Sequence, residues 1–270
     1  MNESLRTRVL TAAVLAAALL VILLFLPVWA TVVVLTVMLL AGAWEWSAFL
    51  RLSTAGRRLI YVALVALLLP LAWRISRHTG NGRDLILIAA VLWWLTAFMW
   101  IVFAPRLVSR WSAGAAGVLA LVPAWLALVW LRLAPPHGQW VLFTLILVWV
   151  ADIGAFFVGT RFGRIRLAPV VSPGKTWEGV LGGMGLSALV AVGGSVWFRV
   201  PLGVFLPLCL ATVAFSVIGD LTESLLKRFA GIKDSGSVFP GHGGVMDRID
   251  SLTGAAPVLL LGLTLLEVVK

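Results

Sequence analysis

The stretch KDSGSVFPGHGGVMDRID, Lys233 to Asp250, concentrates side chains able to do chemistry. Asp247 and Asp250 stand three residues apart, so on a helix both carboxylates share one face. Two close carboxylates repel unless a cation lies between them. Carboxylate oxygens suit Mg²⁺, which takes few protein ligands and completes its shell with water and substrate phosphates. A helix dipole explains one acid at a helix start, but not a pair met by a third. That third is Asp220, in AFSVIGDLTESLLKR, with Ser224 and Lys227 following on its helical face and Arg228 next to them. The glycines of PGHGG, Pro240 to Gly244, allow close backbone approach and a cradle of N–H groups for an anion. His242 among them can donate to a phosphate or move a proton.

A second polar stretch, DIGAFFVGTRFGRIRLAPVVSPGKTWEG, runs from Asp152 to Gly179. Asp152 lies inside an apolar run. An acid at the centre of a bilayer costs about 3 kcal/mol and usually faces a cavity or a partner. Gly159, Arg161, Gly163 and Arg164 then form a basic, flexible exit. The tripeptide GKT invites a P-loop reading, but Pro169 stands where that motif needs glycine, and no strand is expected before it. Lys175 remains a phosphate ligand by another architecture. Cations for phosphates, acids for a metal and glycines for backbone approach together suit phosphoryl or nucleotidyl transfer onto a lipid.

The elements that position these residues must be membrane spans. The chain has 270 residues, 61% of them hydrophobic and 12% charged, and its mean hydropathy is +1.07. No soluble domain of this length has so little polar surface. The net charge of +10 reflects loop arginines that orient spans, and no basic face is left for nucleic acid. Cys209, the one cysteine, cannot form an internal disulfide and reads as a small lipid-buried side chain.

Apolar runs predict an all-α polytopic protein with nine spans, at 9–26, 28–49, 58–73, 84–104, 114–133, 139–158, 179–198, 203–226 and 251–269. The run 58–73 is short, and eight spans is the alternative. Pro27 breaks the first long run into a hairpin, and the basic-then-apolar N-terminus reads as a retained first span. With the N-terminus cytoplasmic, most lysines and arginines fall inside, among them Arg6, Arg8, Arg57, Arg58, Arg106 and Arg161. Outside remain Arg74, Arg77, Arg83, Arg132, Arg199 and Lys270, which agrees with the positive-inside rule. Before residue 150 the acids are Glu3, Glu45 and Asp84 alone, whereas Asp152, Glu178, Asp220, Glu223, Asp234, Asp247 and Asp250 follow. Residues 1–140 therefore read as scaffold helices. Residues 141–270 read as the catalytic region, with cytoplasmic loops 159–178 and 227–250, in one continuous membrane domain.

The run from Ser224 to Asp250, S-L-L-K-R-x₄-K-D-S-G-x₂-F-P-G-H-G-G-V-M-D-R-I-D, resembles the signature of the phosphatidate cytidylyltransferases (CDP-diacylglycerol synthases) without a gap. DxGAFFxGxRFG and SPGKTWEG upstream are similar to that family too. Phe156 replaces its common tyrosine, and Gly174 its common asparagine; neither change removes a charge. The resemblance is specific over about 152–251. It implies that CTP and phosphatidate give CDP-diacylglycerol and pyrophosphate, in a homodimer in the inner membrane with the site facing the cytoplasm. It also implies Mg²⁺, and leaves room for a second, monovalent cation such as K⁺. Metal ligation carries over to Asp220, Asp247 and Asp250. Lys227, Arg228, Lys233, Asp234, His242 and Arg248 are the expected catalytic group. Asp152, Arg161, Ser172, Lys175, Ser224, Gly243 and Gly244 are the expected substrate contacts. Two rival readings exist: the CDP-alcohol phosphotransferases, also Mg²⁺-dependent head-group enzymes, whose D-G-x₂-A-R pattern is absent, and a transporter coupled through Asp152 and Asp220.

Overall fold

The computed structural model describes residues 17–238 and 243–269. Among them are nine helices: α1 (17–24), α2 (Val28–Trp46), α3 (Ala55–His78), α4 (Gly82–Phe103), α5 (Arg110–Leu133), α6 (Gln139–Phe162), α7 (Trp177–Phe198), α8 (Leu202–Ala230) and α9 (Met246–Leu265). The helices from α2 to α9 are each long and apolar enough to cross a membrane. Pro27 does separate α1 from α2: its ψ of 155° is extended, and it stands as the N-cap of α2. The short run 58–73 becomes a full span in α3, because helical hydrogen bonding continues through polar residues at both ends. For the same reason α9 begins at Met246, five residues before its apolar run, and takes Asp247 and Asp250 into its first turns.

Helices α5 and α9 form the centre of the bundle. Of their apolar windows 72% and 61% is buried, against 28% for α2, α3, α4 and α7, which lie at the periphery. Small residues allow this. Ala113, Ala116 and Ala120 of α5 are fully buried, and small interfacial residues are what lets helix backbones approach inside a membrane. The indole N–H of Trp46 donates to the Ala113 carbonyl at 2.8 Å, and the Tyr61 hydroxyl to that of Gly114 at 3.0 Å. Those bonds pin α2 and α3 against α5. Cys209 is buried within the bundle against Phe205 and Val213 rather than facing lipid.

The one two-stranded sheet among the described residues is a hairpin between α6 and α7. Strands β1 (Arg166–Ala168) and β2 (Ser172–Thr176) pair antiparallel. Its ends are closed by the Trp177 N–H, which donates to the Ile165 carbonyl at 2.9 Å, and by the Ile165 N–H, which donates to both Glu178 carboxylate oxygens at 3.2 Å. A strand thus does precede GKT, contrary to the sequence expectation, but it folds back instead of feeding a phosphate loop. Thr176 caps α7, its hydroxyl accepting from the Gly179 N–H at 3.1 Å.

Candidate active site

The C-terminal ends of α2, α6 and α8 and the N-terminal ends of α7 and α9 meet at one end of the bundle. The hairpin closes over α8 there, with Ala168 and Val171 packed against Leu221 and Leu225. The Arg228 guanidinium donates to the Val171 carbonyl at 3.5 Å. This docking delivers Lys175 to Asp220, and the two form an ion pair. The Ser224 hydroxyl donates to the other Asp220 oxygen at 3.4 Å.

Helices α8 and α9 touch backbone to backbone. A Cβ on Gly219 would stand 2.6 Å from the Asp250 carbonyl oxygen, and one on Gly254 would overlap the Phe215 carbonyl. The residue after Gly219 is Asp220, so this contact sets two acids from different helices beside each other. Two turns further along α8, the Lys227 ammonium is 2.6 Å from Glu223 Oε2 and 2.8 Å from Asp247 Oδ1. Sequence spacing put Asp220, Ser224 and Lys227 on one face. In the structure Lys227 turns to the i−4 acid and across to α9. The second oxygen of Asp247, Oδ2, lies 3.0 Å from both the N–H and the hydroxyl of Ser235 and 2.8 Å from the Gly244 N–H. Gly243, with a φ of 78°, turns the chain into this contact, and a Cβ there would meet the Asp247 carboxylate.

Of the expected site residues, Asp152, Lys175, Asp220, Ser224, Lys227, Gly243, Gly244, Asp247 and Asp250 come together. Asp152 is within electrostatic reach of Asp220, Lys175 and Arg248. Arg161, Lys233, Asp234 and Arg248 are exposed and form no ion pair among the described residues. Ser172 opens β2 opposite Ala168. His242 lies outside the described residues.

Two participants were not singled out from the sequence. Glu223 is completely buried, and its Oε1 has no hydrogen-bond partner among the described residues; its i, i+4 spacing to Lys227 was the available signal. The other is Glu45, from the half read as scaffold, which reaches the site from α2 and is 4% exposed. Its position inside an apolar run invited the same argument as Asp152 and Asp220.

The donor set suits a hard cation. Among the described residues no three metal-binding side chains converge into a ready-made cage. Mg²⁺ does not need one, since it binds through one or two carboxylates and takes the rest from water and phosphates. The unpartnered Glu223 oxygen, close to Asp247 and Asp250, and the apposition of Asp220 with Asp250 are what such an ion would relieve. At Asp247 it would compete with Lys227 for Oδ1.

Fold and site thus define a polytopic membrane protein with interlocked carboxylates and lysines at one end of its bundle, arranged for phosphate chemistry. The chain belongs to the Cytidylyltransferase family, whose profile matches residues 6–266. It is 41% identical to the phosphatidate cytidylyltransferase of Haemophilus influenzae, over 94% of this chain and 96% of that one. It is also 41% identical to the enzyme of the same name from Pseudomonas aeruginosa, over 80% of this chain and 81% of the relative.

Proposed function

We propose that this chain transfers the cytidylyl group of CTP to phosphatidate, forming CDP-diacylglycerol and pyrophosphate, at the cytoplasmic face of a bacterial inner membrane. The observation that carries the reading is the α8–α9 corner, where carboxylates and lysines interlock at the end of membrane helices beside a glycine-built turn. The names of the two relatives above support the substrates.

A phosphate oxygen of phosphatidate attacks the α-phosphorus of CTP. The P–O bond to the β-phosphate breaks, and pyrophosphate leaves with the electron pair. The nucleophile is already an anion, so the reaction needs no strong base. Its difficulty is bringing several anions into line, which positioning and fixed positive charge overcome. Arg161, Lys233 and Arg248, all exposed, are the cations that would meet the incoming phosphates. Lys175 and Lys227 hold Asp220, Glu223 and Asp247 in place. Asp152 sits on α6 beside exposed Ile153, Phe156 and Phe157, a side from which a lipid head group can arrive without leaving the bilayer. Asp220, Asp247, Asp250 and Glu223 are the residues that would hold Mg²⁺, which when bound neutralises charge across the phosphates.

The test uses purified protein in detergent micelles with phosphatidate and Mg²⁺, each nucleoside triphosphate in turn, and pyrophosphate as the readout. Release is expected with CTP, lost on chelation of the divalent ion and lost in Asp247→Asn. A folded wild-type protein that releases no pyrophosphate with any nucleotide overturns the reading, and undiminished release by Asp247→Asn overturns the role of Asp247.

A further inference from the structure

Glu45 ends α2, about 200 residues away in sequence from the acids it approaches. Its side chain spans the start of α9. Oε1 accepts from the Val245 N–H at 3.0 Å, and Oε2 accepts from the Met246 N–H at 2.7 Å. The first N–H groups of any helix lack partners within the helix. No side chain of the N-cap residue Val245 serves α9, so a carboxylate from another helix satisfies them instead. Charge-assisted bonds of this kind are short and strong.

The same Oε2 lies 2.9 Å from the Ser235 hydroxyl, which in turn lies 3.0 Å from Asp247 Oδ2. Ser235 is 8% exposed. Glu45, Ser235 and Asp247 thus form a polar chain inside the protein, in which the two carboxylates share the single hydroxyl proton of Ser235. The glycines around it are shaped to the Glu45 carboxylate. A Cβ on Gly236 or on Gly244 would overlap its oxygens. Gly236 and Gly244 are therefore required by a side chain from the opposite half of the sequence, apart from any ligand they approach.

We infer that Glu45 is a positioning residue of the active site: it clamps the start of α9 and, through Ser235, sets the orientation of the Asp247 carboxylate. The inference rests on the role given to Asp247 above. Truncating groups that orient a ligating carboxylate costs roughly 10- to 100-fold in activity. Glu45→Gln keeps the shape but loses the charge and one of the two acceptors facing the amides.

The experiment compares wild type, Glu45→Gln, Ser235→Ala and the double variant in detergent. It measures kcat, KM for CTP and phosphatidate, and amide hydrogen exchange over 243–250. Glu45→Gln should lower kcat by roughly 10-fold or more, leave both KM values within about threefold, and speed exchange over 243–250 alone. Ser235→Ala should lower kcat too, and the two changes should be less than additive because they interrupt one chain. A kcat within threefold of wild type for Glu45→Gln overturns the inference. If Glu45→Gln does not fold, Ser235→Ala decides, since it leaves both amide bonds to Glu45 intact; an unchanged kcat there overturns the inference. Exchange reads the clamp independently of turnover. Accelerated exchange in a protein whose wild type shows no activity faults the proposed reaction, not the clamp.

Discussion

Replacing Lys227 by methionine separates the buried from the exposed reading of the α8–α9 corner. The Lys227 side chain is 14% exposed, and its partners Glu223 and Asp247 are 0% and 8% exposed. An exposed ion pair contributes about 0–1 kcal/mol, whereas removing one partner of a buried pair costs about 3–5 kcal/mol. Exposures this low place Lys227 in the second class. Asp247 keeps its bonds to Ser235 and Gly244 after the substitution. Glu223 does not, because Oε1 already lacks a partner and Oε2 loses its lysine. The cost should therefore concentrate on Glu223. In wild type, Glu223→Gln gives up a charge-assisted bond and should destabilise by about 1.5–3 kcal/mol. In the Lys227→Met background no bond to lysine remains to be lost, so Glu223→Gln should cost little or nothing. Unfolding of the four proteins in one detergent, followed by denaturant titration or thermal melting, measures this difference. If Glu223→Gln destabilises equally in both backgrounds, with additivity within about 0.5 kcal/mol, the corner is solvated and the electrostatic account of the site fails.

Gly219→Ala should destabilise by about 1–3 kcal/mol, because the new methyl meets the Asp250 carbonyl and pushes α8 from α9. Turnover should fall with it, since Asp220 and Asp250 separate, and a variant with wild-type melting and activity would contradict the close contact. Thr176→Val should cost about 1 kcal/mol as a lost helix cap while leaving KM for CTP unchanged in a steady-state assay. A large rise in that KM would restore the phosphate-loop reading of GKT.

Much of this molecule is legible along the chain. Apolar runs of bilayer length dictate spans wherever they occur, because a backbone in hydrocarbon must satisfy its own hydrogen bonds; hence α2 to α8 lie close to where hydropathy puts them. Pro27 breaks its run for a local reason as well, having no N–H to continue a helix. Acids inside apolar runs, Asp152 and Asp220, and polar clusters between spans, with Lys175, Lys227, Asp247 and Asp250, stand out from a hydrophobic chain for the same energetic reason, and the structure brings these residues to one end of the bundle. Spacing along the chain could not say which cation meets which acid. That Lys175 pairs with Asp220 depends on the hairpin docking onto α8 through Val171. That Lys227 bridges Glu223 and Asp247 depends on the approach of α9. Glu45 shows the limit most plainly. Its own surroundings in sequence are those of a scaffold helix, and only the packing of α2 against α9 brings its carboxylate to the amides of Val245 and Met246. Composition and periodicity are local properties and determine the spans and the kind of chemistry. Pairing among buried charges is decided by distances between helices, which exist only once the bundle has closed.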